Sequence, residues 1–147
     1  MSPSRPSLVL TAGILLLASP QIAAQRARDL RAEFRAGQTF LTWKEDSASD
    51  VLYRVYRATS AINNSSDLAS ADFLGEVDDK SSRNQGRSLA TSEEHCWVIK
   101  EGSGELSPSQ GLFVHTVETL TKRAFYAVTS VRNSESSPHA FSRNAVR

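Results

Sequence analysis

The side chains that could carry chemistry in this sequence lie mostly between Asp78 and Gln110. Gly86-Arg87-Ser88-Leu89-Ala90 comes nearest to G-x-S-x-G, the turn that lifts a nucleophilic serine between a strand and a helix. Ala90 stands where the second glycine belongs and no helix is legible after it, so Ser88 reads as a loop serine. His95 and Cys96 could supply a base and a thiol, but they are adjacent. Neighbours on an extended strand point to opposite faces, which keeps the imidazole from the sulfur. Cys96 therefore reads as a small apolar side chain.

The other candidate groups read the same way. His95, His115 and His139 have no H-x-H or H-x-x-x-H spacing, and Cys96 is the only cysteine, so neither a zinc site nor an intramolecular disulfide is expected. Glu45-Asp46, Asp78-Asp79 and Glu93-Glu94 are adjacent carboxylates. Adjacency does not set the gap of about 5–9 Å between glycosidase acids, and EF-hand spacing is lacking, so these read as solvated turns. Asn63-Asn64-Ser65-Ser66 holds two overlapping N-x-S acceptors and reads as a polar turn. Trp97, with Tyr56 or Phe113, could stack on sugar rings, which makes a polysaccharide a ligand class to test, although one Trp in an apolar run is more often a core plug. No residue is assigned a catalytic, cofactor-binding or metal-binding role, and the chain is expected not to be an enzyme.

The elements that must position these groups alternate rather than follow a helical period. In Gln38–Lys44, Thr39, Leu41 and Trp43 share one face, placed inward because the indole can fill a two-sheet core. In Val51–Arg57, Tyr53 and Val55 oppose Leu52, Arg54 and Tyr56. Thr59–Ser66 is a polar loop, and Ala71–Val77 is a strand whose Gly75 marks a bulge or a sheet edge. Asp78–Arg87 reads as a loop, His95–Lys100 as a strand of an inserted hairpin, and Leu112–Val117, Ala124–Val131 and Phe141–Val146 as further strands. Leu120 and Tyr126 are spaced as in a corner of a β-sandwich. The ring lies on the core there, and the hydroxyl reaches backbone left unpaired where the chain changes sheets.

The ends and the charge bound the rest. Arg5, the apolar run Leu8–Ala18 and the small pair Ala23-Ala24 before Gln25 read as a signal peptide over residues 1–24. The run ends at Ser19-Pro20, short of the roughly 20 residues of a membrane span, so a secreted or periplasmic protein without a membrane anchor after cleavage is expected. Of 17 Lys+Arg and 16 Asp+Glu, the leader holds only Arg5, so the remaining chain is formally neutral. Neutrality with interspersed signs removes the attraction that a nucleic acid would need. Arg26, Arg28, Arg31 and Arg35, with Asp29 and Glu33 among them, read as a solvated first segment.

In order, TFLTWK, YRVYRA, the Leu120 to Tyr126 corner and FYAVTSV resemble a fibronectin type III-like domain over residues 29–146. The resemblance implies an all-β, immunoglobulin-like two-sheet sandwich as one domain over residues 29–147. It would carry an inserted hairpin within residues 78–111 and a last strand clipped at Val146. Lys122 and Arg123 stand where that family usually has proline and glycine. The leader with YRVYRA, GLFVHTVE and FYAVTSV is also similar to the N-terminal module of larger bacterial secreted proteins, some of which carry an α/β-hydrolase domain. It implies a non-catalytic spacer, docking or protein-interaction module whose partner is another protein or a domain beyond Arg147.

Overall fold

The structure, a computed structural model, describes residues 27–47, 49–118, 123–132 and 142–146. In chain order they form β1 (Arg28–Arg35), β2 (Gln38–Lys44), β3 (Val51–Ala58), α1 (Ser65–Ala69), β4 (Asp72–Asp78), α2 (Gln85–Thr91), β5 (Gln110–Thr116), β6 (Ala124–Arg132) and β7 (Ser142–Val146). The strands make a three-stranded sheet in the order β1-β2-β5 and a four-stranded sheet in the order β4-β3-β6-β7. Every neighbouring pair is antiparallel. The architecture is thus a mostly-β sandwich of two sheets.

Period-two alternation sends one face of each strand into the space between the sheets. Leu30, Leu41 and Trp43 come from one sheet, and Val51, Tyr53, Val55, Tyr126 and Val128 from the other; all are buried in one cluster. The inward face expected for β2 is the one observed, and in β3 it is the side of Tyr53 and Val55 that turns inward. The rings of Trp43 and Tyr53, on opposite sheets, tilt against each other with centroids 5.4 Å apart. Tyr126 is 1% exposed, and its hydroxyl donates to Thr39 Oγ1 at 3.3 Å and lies 3.2 Å from His115 Nδ1. Thr39 and His115 belong to the opposing sheet, so the phenol links the two layers. The Leu120 half of the expected corner lies outside the described residues, as do residues 1–24 and His139. It is Tyr53 whose hydroxyl accepts a backbone N–H, from Asp46 at 3.3 Å, and burial pushes its pKa up to about 12.

Gly75 behaves as expected. β4 is an outer strand, and its register against β3 shifts between Val55 and Tyr56, beside Gly75. At φ +154° a side chain is strained, and a Cβ there would lie 3.2 Å from Phe113 Cε2 in the facing sheet.

Four segments take a secondary structure other than the one expected. The basic first segment is strand β1, because Leu30 and Ala32 alternate with charged residues; Ala32 pairs with Leu41, and Leu30 joins the same core cluster. Its hairpin to β2 turns on Ala36 and Gly37, both at positive φ, as a two-residue primed turn requires. The loop after β3 closes in helix α1, because the Asn64 side chain accepts from Asp67 N at 2.9 Å while Asp67 Oδ2 accepts from Asn63 N at 2.7 Å. This is a reciprocal capping arrangement. Ile62 and Leu68 then cover Ala127 on the outer face of the four-stranded sheet. The stretch after Asp78 is no plain loop, since α2 begins at Gln85 with Asn84 as its cap. Finally, His95–Lys100 is not a hairpin strand; it makes one isolated bridge, Cys96 to Arg83.

Candidate functional site

The excursion between β4 and β5 gathers Ser82, Ser88, His95, Cys96 and Glu105, and Glu45 at the end of β2 fastens both of its ends. The two carboxylate oxygens of Glu45 accept from Lys80 N at 2.9 and 2.8 Å, and its own N–H donates to Ser109 O at 2.9 Å. Glu45 is buried rather than in a solvated turn, and desolvation raises its pKa above the ordinary value. Ser81 Oγ accepts from Leu112 N at 2.9 Å, which satisfies part of the outer edge of β5. Arg35 Nη1 donates to Ile99 O at 3.0 Å, so the excursion reaches across to β1.

Inside the excursion, α2 packs against an extended strap through backbone bonds from Asn84 N to His95 O at 2.9 Å and from Trp97 N to Ser82 O at 2.8 Å. Glu105 is the hub. Its Oε2 accepts from Cys96 N at 2.9 Å, and its Oε1 accepts from His95 Nδ1 and Arg87 Nη1, each at 3.0 Å. The Cys96 N–H and the His95 ring together hold the Glu105 carboxyl below the usual range. Arg83 and Glu94 pair at 2.9 Å at the rim.

Ser88, His95 and Glu105 have the residue types of a hydrolytic triad but not its wiring. Ser88 Oγ accepts from His95 N at 2.9 Å and donates to His95 O at 3.4 Å, so the hydroxyl is engaged by backbone. The second imidazole nitrogen, Nε2, lies toward Glu93 Oε2 at 3.9 Å. A nucleophilic serine needs its hydroxyl on that nitrogen. Contrary to the sequence reading, Ser88 sits in helix α2 rather than in a loop. Cys96 is 3% exposed, with its sulfur 3.9 Å from Ser82 Oγ, as befits a small buried side chain. Sequence reasoning missed Glu105, a lone carboxylate between Gly104 and Leu106 that matches no motif.

The aromatic candidates also separate. Trp97 is 48% exposed rather than a core plug, whereas Phe113 is packed against the core and is no platform. Tyr56 lies on the outer face of the four-stranded sheet beside Phe73, with ring centroids 5.6 Å apart. The Arg54–Glu76 pair adjoins them at 3.2 Å. Among the described residues, no group of three or more His, Cys, Asp or Glu is placed to hold a metal ion, and no helix is long and apolar enough to cross a membrane.

No protein-family model and no curated protein matches the chain. Its fold is similar to that of pectate lyase Pel3 from Pectobacterium carotovorum, over 82% of this chain and 27% of that chain, at 15% identity and a TM-score of 0.51. Pectate lyase PelI from Erwinia chrysanthemi, solved in complex with tetragalacturonic acid, aligns over 82% of this chain and 26% of that chain, at 17% identity and a TM-score of 0.43. The chain therefore spans about a quarter of the length of the solved structures it resembles.

Proposed function

We propose that this chain is a non-catalytic, exported β-sandwich module of fibronectin type III-like kind, a spacer or docking unit attached to a larger protein. One observation carries the reading: Ser88, His95 and Glu105 are each spent on holding the β4–β5 excursion together. Side chains so engaged supply structure, and a sandwich packed through its centre leaves function to loops and edges.

The strand order supports the finer fold assignment. Lettered in sequence, β1-β2-β5 corresponds to strands A, B and E of an immunoglobulin-like sandwich, and β3, β6 and β7 to C, F and G. The fourth strand pairs with β3 instead of joining the first sheet. The match of most of this chain to about a quarter of the Pel3 chain supports the attached-module reading, since the same fold is there part of a longer protein. The test is turnover. The purified protein is incubated with p-nitrophenyl esters, polygalacturonate and neutral polysaccharides, and product is measured. No product above buffer is expected; turnover that Ser88→Ala or Glu105→Gln abolishes would overturn the proposal.

A further inference from the structure

Phe73, near the start of outer strand β4 and beside its bulge, is 56% exposed, with its ring beside that of its cross-strand partner Tyr56. Tyr56 is held on its other side by packing against the cluster of Ile62, Leu68 and Ala127, so the aromatic pair is a fixed surface and not a mobile loop tip. Arg54 and Glu76, paired directly across β3 and β4 one step along the same face, bound the pair. Together with the backbone of Gly75 they line a groove of about 430 Å³.

We propose that this groove is a binding site for a neutral saccharide chain, which deepens the module reading by naming its ligand. A pyranose ring has apolar C–H faces and a rim of hydroxyls that both donate and accept. The C–H face fits the exposed ring of Phe73 with the partly buried ring of Tyr56 beside it, while the guanidinium of Arg54 offers donors and the carboxylate of Glu76 offers acceptors at the edge. Charge selects among other ligands. Among the described residues that line the groove the one cation, Arg54, is already balanced by Glu76 3.2 Å away, so a polyanion gains little from Arg54 and is repelled by the carboxylate. Two rings beside an ion pair offer too little continuous apolar surface for a hydrophobic peptide or an acyl chain. A preformed platform also costs little ordering on binding.

The experiment is affinity electrophoresis and calorimetric titration of the full chain against neutral polysaccharides (xylan, glucomannan, galactan, mixed-linkage glucan) and polygalacturonate. At least one neutral polymer is expected to bind, and more tightly than polygalacturonate. Phe73→Ala is expected to weaken that binding by about tenfold or more. Phe73→Trp is expected to preserve it, and Trp97→Ala, on the separate β4–β5 excursion, to leave it unchanged. Phe73 is exposed on an outer strand, so the variants should fold, and urea unfolding of each checks this. Binding to no neutral polymer, tighter binding to polygalacturonate, or equal affinity of folded Phe73→Ala would each overturn the site. None of these outcomes bears on turnover, so the site can fail while the non-catalytic reading stands.

Discussion

The indole of Trp43 lies against Gly111, its cross-strand partner, so closely that a Cβ at position 111 would clash with its Cε2, Cζ2 and Nε1 atoms. The largest side chain of β2 is thus accommodated by the smallest possible residue on β5. Gly111→Ala should destabilise the protein by about 1–3 kcal/mol, as overpacking does, and Trp43→Ala by about 3–5 kcal/mol through the cavity it leaves. Urea unfolding measures both. In a Trp43→Val background the Gly111→Ala cost should shrink, because the clashing ring is gone. An unchanged cost there would place the glycine's importance elsewhere.

Tyr126 combines a ring in the core with a hydroxyl that joins the sheets through Thr39 and His115. Tyr126→Phe removes one hydroxyl and should cost about 1 kcal/mol, whereas Tyr126→Ala should cost about 3–5 kcal/mol. Equal losses for the two variants would mean that the hydroxyl supplies everything and the ring nothing.

The pH dependence has two opposed parts. Burial, and then the Arg57 guanidinium, depress the His115 pKa below its ordinary value of 6.5. The unfolded chain therefore takes up the proton more readily, so the neutral imidazole's contribution is complete above 6.5 and is lost as pH falls through the depressed folded value. Glu45 runs the other way in a lower window. Its raised pKa makes burial of the carboxylate costly at neutral pH, and that cost is relieved as pH falls through the raised value toward 4.5. Urea midpoints from neutral pH down should first decline, and His115→Gln should flatten that decline. A decline of the same slope in His115→Gln would remove His115 as its source.

Glu45 fastens both ends of the excursion, at Lys80 and at Ser109. Glu45→Ala leaves the Lys80 N–H without its charged acceptor, which should cost about 1.5–3 kcal/mol. Trypsin should then cut faster at Arg83 and Arg87, while Glu45→Gln, which retains one acceptor oxygen, falls between. Wild-type resistance in Glu45→Ala would mean that the ends are fastened by other contacts.

The sandwich was legible wherever alternation was apolar enough to stand out. Thr39-Leu41-Trp43 gave the inward face of β2, Tyr53-Val55 gave one of the two faces of β3, and Gly75 marked the irregular outer strand. β1 carries the same alternation in Leu30, Ala32 and Phe34, but four arginines and two acids among Arg26–Arg35 masked it, because charged residues on the solvent face of a strand look like a solvated tail. Helices α1 and α2 span only five and seven residues, too few for a helical period, and their signals are the caps Asn64 and Asn84. The groups of the excursion were out of reach for a different reason. Glu105 meets His95 and Cys96 only because an irregular strap folds back on itself, and no spacing rule encodes that return. The Tyr56–Phe73 pair depended on register, which the bulge at Gly75 shifts by one residue.

The most direct test of the structural role given to these side chains is the rate at which a thiol reagent labels Cys96 in native protein and in Glu105→Ala. In the native chain the sulfur is buried and the strap is held by Glu105, so labelling should be slow and limited by local opening. Glu105→Ala should open the strap and speed labelling by an order of magnitude or more, with the urea midpoint of the sandwich little changed. Fast labelling of the native protein, or a Glu105→Ala rate equal to wild type, would contradict the claim that these groups serve to hold the fold.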